Sequence, residues 1–209
     1  EKLFYCNQLM VSTHRDKARI GTITSRLDHF LEWKDPYPLE KKDISEKPTS
    51  QEILIAGMFD RKNLLDLILN FIVFEPVDGR TIKKIARYQQ FRAVHKTIDR
   101  IKSGSDKKSK SGVVWHTQGS GKSLTMVFLT LKIRRDVELR DYKMVFITDR
   151  TQLDSQLTAT FQNTQDETIH HASSVKELKD ILKSDSSDIV TAMVKKFQES
   201  ANENEFPVL

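Results

Sequence analysis

Residues 116–123 read His-Thr-Gln-Gly-Ser-Gly-Lys-Ser. A lysine and a hydroxyl placed after a glycine-relaxed turn are the parts that hold a phosphate chain and its metal. Gly119 and Gly121 let successive backbone N–H groups, with that of Ser120 between them, point into one concavity. The N-terminus of a following helix adds positive potential toward an anion. In such a loop Lys122 reaches the β- and γ-phosphates of a nucleoside triphosphate, and the Ser123 hydroxyl coordinates magnesium. The usual pattern, G-x-x-x-x-G-K-[ST], begins on a glycine where this chain has His116. That position lies at the exit of the preceding strand, while the tight approach to phosphate comes at Gly119 to Gly121. A strand–turn–helix without a ligand uses the same residues, so context has to decide.

Two further patterns flank the loop. Upstream, "RYQQFRA" matches R-x-x-Q-x-x-A at Arg87, Gln90 and Ala93. A glutamine amide offers a donor and an acceptor, the complement of the N6 and N7 edge of adenine. Taken alone, Gln90 also suits an ordinary polar position on a helix. Downstream, "TDRTQLDSQL" matches R-x-x-L-x-x-Q at Arg150, Leu153 and Gln156. Arg150 and Gln156, near a strand–helix junction, suit a nucleic-acid backbone at a helix start, or equally the polar face of a surface helix.

These residues need a frame to position them. From residue 113 the sequence alternates: "VVWH" as a short buried-type strand, "KSLTMVFLTLKIRRD" as a helix, "KMVFIT" as a strand and "RTQLDSQLTATF" as a helix. "ETIHHA", then "SSVKELKDILKS" with a serine cap, then "DIVTAMV" continue the series. The alternation predicts an α/β fold, a mostly parallel sheet flanked by helices. Before it, residues 8–24 predict two short strands joined by the polar turn His14 to Lys17. "DRKNLLDLILNFIVFE" repeats apolar residues at Leu64, Leu65, Ile68, Phe71 and Ile72, one face of a helix. A break at "PVDGR" precedes a second helix expected from near Thr81, with Ile82, Ile85, Phe91, Val94, Ile98 and Ile101 on its face. "DPYPLEKKDISEKPTS" holds three of the five prolines and many charges. It reads as an interdomain linker outside any core, with a boundary near residue 50. "KSGSDKKSKSG", residues 102–112, reads as a flexible basic connector, with DNA contact as its functional alternative.

Composition narrows the class. With 38% apolar and 30% charged residues the chain is a soluble globular protein. No apolar run approaches the ~18 residues that span a bilayer, and "EKLFYCNQ" lacks a secretory pattern. One cysteine, Cys6, excludes an internal disulfide and fits a reducing cytoplasm. The histidines show no metal-ligand spacing, and His170 and His171 point to opposite sides of any strand they occupy. A net charge of +5 is compatible with a nucleic-acid partner without requiring one.

In this order and spacing the three patterns resemble the Q motif, motif I and motif Ia of superfamily 2 helicases and translocases. More narrowly, "LFYCNQLMVST…ARIGTITS…WK", "GMFDRKNLLDLILNFIVFE", "KKIARYQQFRAVHK" and "VVWHTQGSGKSLTMVF" resemble the restriction subunit of type I restriction-modification enzymes. The resemblance runs through nearly the whole chain and is most specific in residues 80–130. "HTQGSGKS", with His116 in the glycine position, is itself characteristic of that family. The resemblance implies an ATP-dependent DNA translocase and endonuclease subunit, with ATP and Mg2+ as cofactors. Lys122 is then the catalytic cation, Ser123 the magnesium ligand through ATP, and Arg87, Gln90 and Gly119 to Ser123 the ATP contacts. Arg150 and Gln156 would meet double-stranded DNA. Methyltransferase and specificity subunits are the implied partners, with no membrane and a cytoplasmic location. The implied layout is the C-terminal part of a PD-(D/E)xK-type nuclease domain (1–34), a linker (35–50) and the N-terminal part of a RecA-like P-loop motor domain (51–209).

The same resemblance sets expectations for what the motifs omit. An acidic box, Asp-Glu-x-His, belongs to a strand later than "DIVTAMVKKFQ", where this chain stops short. Asp149 ends "KMVFITD" but leads into motif Ia, and Met193 stands where the family has threonine. Glu32-Trp33-Lys34 spells E-x-K without a preceding acid on a suitable strand, so the nuclease carboxylates are expected upstream of Glu1. On this reading the 209 residues at most bind nucleotide, and neither hydrolyse it nor cut DNA. Two other readings stay open: a superfamily 2 repair or remodelling helicase without a nuclease, and a non-catalytic DNA-binding module with a relic loop.

Overall fold

The structure, a computed structural model, describes residues 6–148, 169–172, 174–184 and 186–194. The chain divides into two compact units between Leu129 and Thr130.

The first unit opens with β1 (Met10–His14) and β2 (Lys17–Gly21), the antiparallel hairpin that the alternating pattern predicts. Ile20 then bridges to Leu31, folding the next segment back along β2. Helix α1 (Ser50–Gly57) begins at Thr49, whose hydroxyl accepts from the Glu52 amide while the Glu52 carboxylate accepts from the Thr49 amide. That capping box satisfies two amide donors, one of them among those the first helical turn leaves free. Helix α2 (Arg61–Asn70) is capped by Asp60 and buries Leu67 completely.

Two expectations for the following stretch are corrected. The apolar repeat carried the helix through Ile72, but α2 stops at Asn70 and Leu65 is exposed. The second helix, expected from Thr81, is a hairpin instead: β3 (Ile72–Val77) pairs antiparallel with β4 (Arg80–Ile85). The turn is Asp78-Gly79, both with positive φ, 48° and 73°. Asp-Gly is a preferred pair where both turn residues need positive φ, and Val, Phe, Ile and Thr favour the pleated neighbours. Helix α3 (Tyr88–Ser103) therefore begins only after Arg87, burying Gln90, Phe91, Val94 and Ile98 along one face.

The core joins α2, β3, α3 and the helix after the glycine loop through aromatic rings. Phe71 lies 4.8 Å from Phe91 and 5.6 Å from Phe128, and Trp33 lies 5.7 Å from Phe91. The proline-rich stretch takes part in this packing, contrary to its reading as a segment outside any core. Pro36 is buried, and the Tyr37 ring stands 6.4 Å from Phe91, with the Arg92 guanidinium 4.1 Å over it. The Asn63 side chain donates to the Tyr37 and Gly57 carbonyls. Proline marks irregular backbone rather than exposed backbone, because it has no N–H to leave unsatisfied on burial. The stretch is exposed from Pro38 to Asp43 and again at Glu46 and Lys47. Within the basic connector, Asp106 caps a single helical turn, α4 (Lys107–Lys110).

Residues 113–116 are not a strand. Val113 and Trp115 are each 88% exposed, and none of the described strands pairs with them. An apolar run becomes a strand only where a neighbour takes its N–H and C=O groups, and composition cannot supply the neighbour.

Helix α5 (Lys122–Arg135) spans the division between the units. In the second unit β5 (Met144–Thr148), β6 (Ile169–His171) and β7 (Ile189–Met193) form a parallel sheet in the order β5-β7-β6. Helix α6 (Val175–Lys183) starts at Ser174, whose hydroxyl accepts from the Glu177 amide. Leu178 and Leu182 of α6 pack with Ala172, Val190 and Ala192 as a small core. The central strand is buried from Ile189 to Ala192, the near-continuous burial expected of a parallel sheet. Of the α/β alternation predicted from residue 113, α5, β5, β6, α6 and β7 are present, and the helix expected at residues 150–161 lies outside the described residues. No helix among them is long and apolar enough to cross a membrane.

Candidate nucleotide site

The glycine loop closes as a tight turn. The Ser120 amide donates to the Thr117 carbonyl at 3.3 Å, and the Ser120 hydroxyl donates to the same oxygen at 2.7 Å. Gly119 and Gly121 have φ of +75° and +83°, which L side chains rarely adopt. The described non-glycine residues with positive φ are Arg15 and Asp78. His116 therefore has an ordinary backbone, and the position needs no glycine. Its Nδ1 is buried without a hydrogen-bond partner among the described residues.

Lys122 and Ser123 form the first turn of α5. The Lys122 ammonium donates to the loop's own carbonyls, His116 at 2.9 Å and Thr117 at 3.0 Å. Those are neutral acceptors, and a phosphate oxygen at the same helix start is a stronger one. The lysine thus sits at the loop, at the start of α5.

Gln90 is 2% exposed, and both ends of its amide are engaged by backbone. Its oxygen accepts from the Arg87 amide at 2.8 Å, and its nitrogen donates to the Gly121 carbonyl at 2.9 Å. The Gly121 carbonyl also accepts from the Thr125 amide and hydroxyl. A Cβ on Gly121 would stand 2.7 Å from the Gln90 amide nitrogen, so this glycine answers both to its φ and to a close neighbour. The upstream motif and the loop are thereby one structure, a contact that spacing could not show. The amide read in the sequence as an adenine reader holds the loop.

A cleft of about 770 Å³ runs from Gly119, Ser120 and Gly121 past Arg87 to Gln90, within the ~300–1,000 Å³ usual for ligand sites. A second, of about 680 Å³, lies along the Arg92, Lys96 and Arg100 side of α3, with Lys110 across it. Glu32 and Lys34 form an exposed pair at 3.9 Å. No group of three or more His, Cys, Asp or Glu side chains suited to a metal occurs among the described residues. Asp149, Arg150, Leu153 and Gln156 lie outside the described residues.

Residues 89–209 match the family model of the SWI2/SNF2 ATPase. The chain is 32% identical over 218 residues to the type I restriction enzyme HindI endonuclease subunit of Haemophilus influenzae, an alignment that covers 100% of this chain and 20% of that protein. It is 31% identical over 227 residues to the type I restriction enzyme MjaIXP endonuclease subunit of Methanocaldococcus jannaschii, covering 100% and 21%. With the C-terminal part of the MpnIIP endonuclease subunit of Mycoplasma pneumoniae the identity is 30% over 138 residues, covering 63% and 65%. The chain spans about a fifth of the length of the first two relatives.

Proposed function

The chain belongs to the SWI2/SNF2 ATPase family, and from that premise we propose that its loop at His116 to Ser123 binds ATP with magnesium. The site would serve the motor part of an ATP-dependent DNA translocase and endonuclease subunit of the type I restriction kind. The observation that carries this reading is the bond from Gln90 to Gly121. It joins two motifs that separately suit many proteins into one site, with the phosphate loop held by the helix of the other.

In this reading the Lys122 ammonium leaves the carbonyls of His116 and Thr117 for the β- and γ-phosphates. The amides of the loop and of the first turn of α5 complete the cradle. The Ser123 hydroxyl would hold magnesium, which neutralises charge on the phosphates during transfer. Chemistry at phosphate is mostly positioning and charge stabilisation, so the lysine carries a large share of it. Gln90 acts on the nucleotide through Gly121, and Arg87 and Gln90 line the cleft beyond the loop. Arg150 and Gln156 would meet double-stranded DNA in a complex with methyltransferase and specificity subunits. Residues 1–34 would be the C-terminal part of a nuclease domain, and residues 51–209 the N-terminal part of the first motor domain.

Calorimetry of ATP–magnesium binding to the full chain, beside Lys122→Ala, tests the reading. Binding is expected in the parent chain and is lost in the variant. Equal affinity in the two proteins sinks the assignment, and DNA binding indifferent to ATP and to Lys122 would favour the DNA-binding module instead.

A further inference from the structure

The cleft beside the loop has a wall that no motif predicts. Besides Gly119 to Gly121 and the start of α3, it is lined by the N-terminal segment between Arg19 and Lys34. This segment is built into the first unit. The Thr22 hydroxyl donates to the Lys83 carbonyl at 2.7 Å, and the Thr24 hydroxyl accepts from the Lys83 amide at 2.8 Å. The Ala18 amide donates to the Ser50 hydroxyl at 2.7 Å. Trp33, 3% exposed, packs edge-on against Tyr88 at 6.4 Å and lines the same cleft. Two arginines of the lining, Arg19 from the segment and Arg87 from the start of α3, have no carboxylate partner among the described residues.

Phosphates held at the start of α5 leave the ribose and base to extend away from the loop. The space that continues from the loop's glycines is this cleft, and the N-terminal segment lines it as well. Aromatic rings and cations without acid partners suit a purine and an electron-rich polyphosphate ester. We infer that the ribose and base of the bound nucleoside triphosphate lie against residues 19–34, so that the N-terminal segment is part of the nucleotide site. The inference rests on the nucleotide reading above and adds the element that faces the base. It also makes the tail of the proposed nuclease domain sensitive to whether the motor holds nucleotide.

Photolabelling of the full chain with 8-azido-ATP and magnesium, beside Lys122→Ala, tests it, with the label placed by mass spectrometry of peptides. The expected result is label within residues 19–34 that excess ATP removes and that Lys122→Ala abolishes. Label that depends on Lys122 but lies wholly outside residues 19–34 overturns this inference and leaves the nucleotide reading standing. Absence of any label that depends on Lys122 overturns both.

Discussion

At Gly121 one residue answers two demands. Its φ of +83° excludes a side chain without strain, and its open face lies against the Gln90 amide. Gly119 has nearly the same φ, +75°, but nothing within 4 Å of where a Cβ would stand. The two positions therefore separate strain from crowding. Gly119→Ala should destabilise by about 1–2 kcal/mol, the usual left-handed penalty. Gly121→Ala should cost more, because the new methyl also displaces Gln90 and weakens its bond to the loop. Urea midpoints of the two variants measure the difference, and an equal loss would mean that Gln90 yields freely. Lys122 is held differently: its bonds to the His116 and Thr117 carbonyls keep the ammonium at the loop.

The segment after β2 shows how an irregular element is held. Tyr37 packs on α3 and its hydroxyl donates to the Asp99 carboxylate at 3.4 Å. Partial burial raises the phenol above its ordinary value of 10.0, with the charge of Asp99 adding to the rise and Arg92 opposing it. A group whose folded value is raised holds its proton more tightly in the folded chain. Its contribution is full below pH 10 and is lost as the pH climbs through the raised value. Tyr37→Phe should therefore flatten the fall in stability above pH 10, while differing little in slope between pH 7 and 9. Denaturant midpoints across that range, parent against variant, check the sign. A steeper alkaline fall in the variant would show that the ring, not the ionisation, governs the contact.

On the scale of the whole molecule, the division at Leu129 separates two cores with different builds. The first is an aromatic cluster of Phe71, Phe91 and Phe128; the second packs Leu178 and Leu182 of α6 against a parallel sheet. Both tryptophans, Trp33 and Trp115, belong to the first unit. Tryptophan emission thus follows one unit, whereas far-UV ellipticity follows helices and strands of both. The two signals should give different urea midpoints, since separate cores need not melt together. Coincident transitions would mean that α5, which spans the division, couples them into one cooperative block.

What the sequence determined by itself was local. Glycines at 119 and 121 and a helix beyond them set the loop's backbone, because each requirement is met within a few residues. The β1–β2 hairpin and the strands and caps around α6 were legible for the same reason. Other outcomes depended on distant partners. Asp78-Gly79 made a hairpin of residues 72–85 because two strands could satisfy each other's backbone, whereas an apolar spacing suited to a helix was also present. Val113 to His116 reads as a strand, yet a strand exists only where another backbone lies beside it. Pro36 is buried despite its composition, and Tyr37 is half-buried against Phe91 of α3. Gln90's partner and the N-terminal wall of the cleft were likewise invisible, since the partners lie 31 or more residues from their targets in the chain. Local conformational need can be read from residue types; which remote group answers a donor, an acceptor or a ring is settled only when the chain has closed on itself.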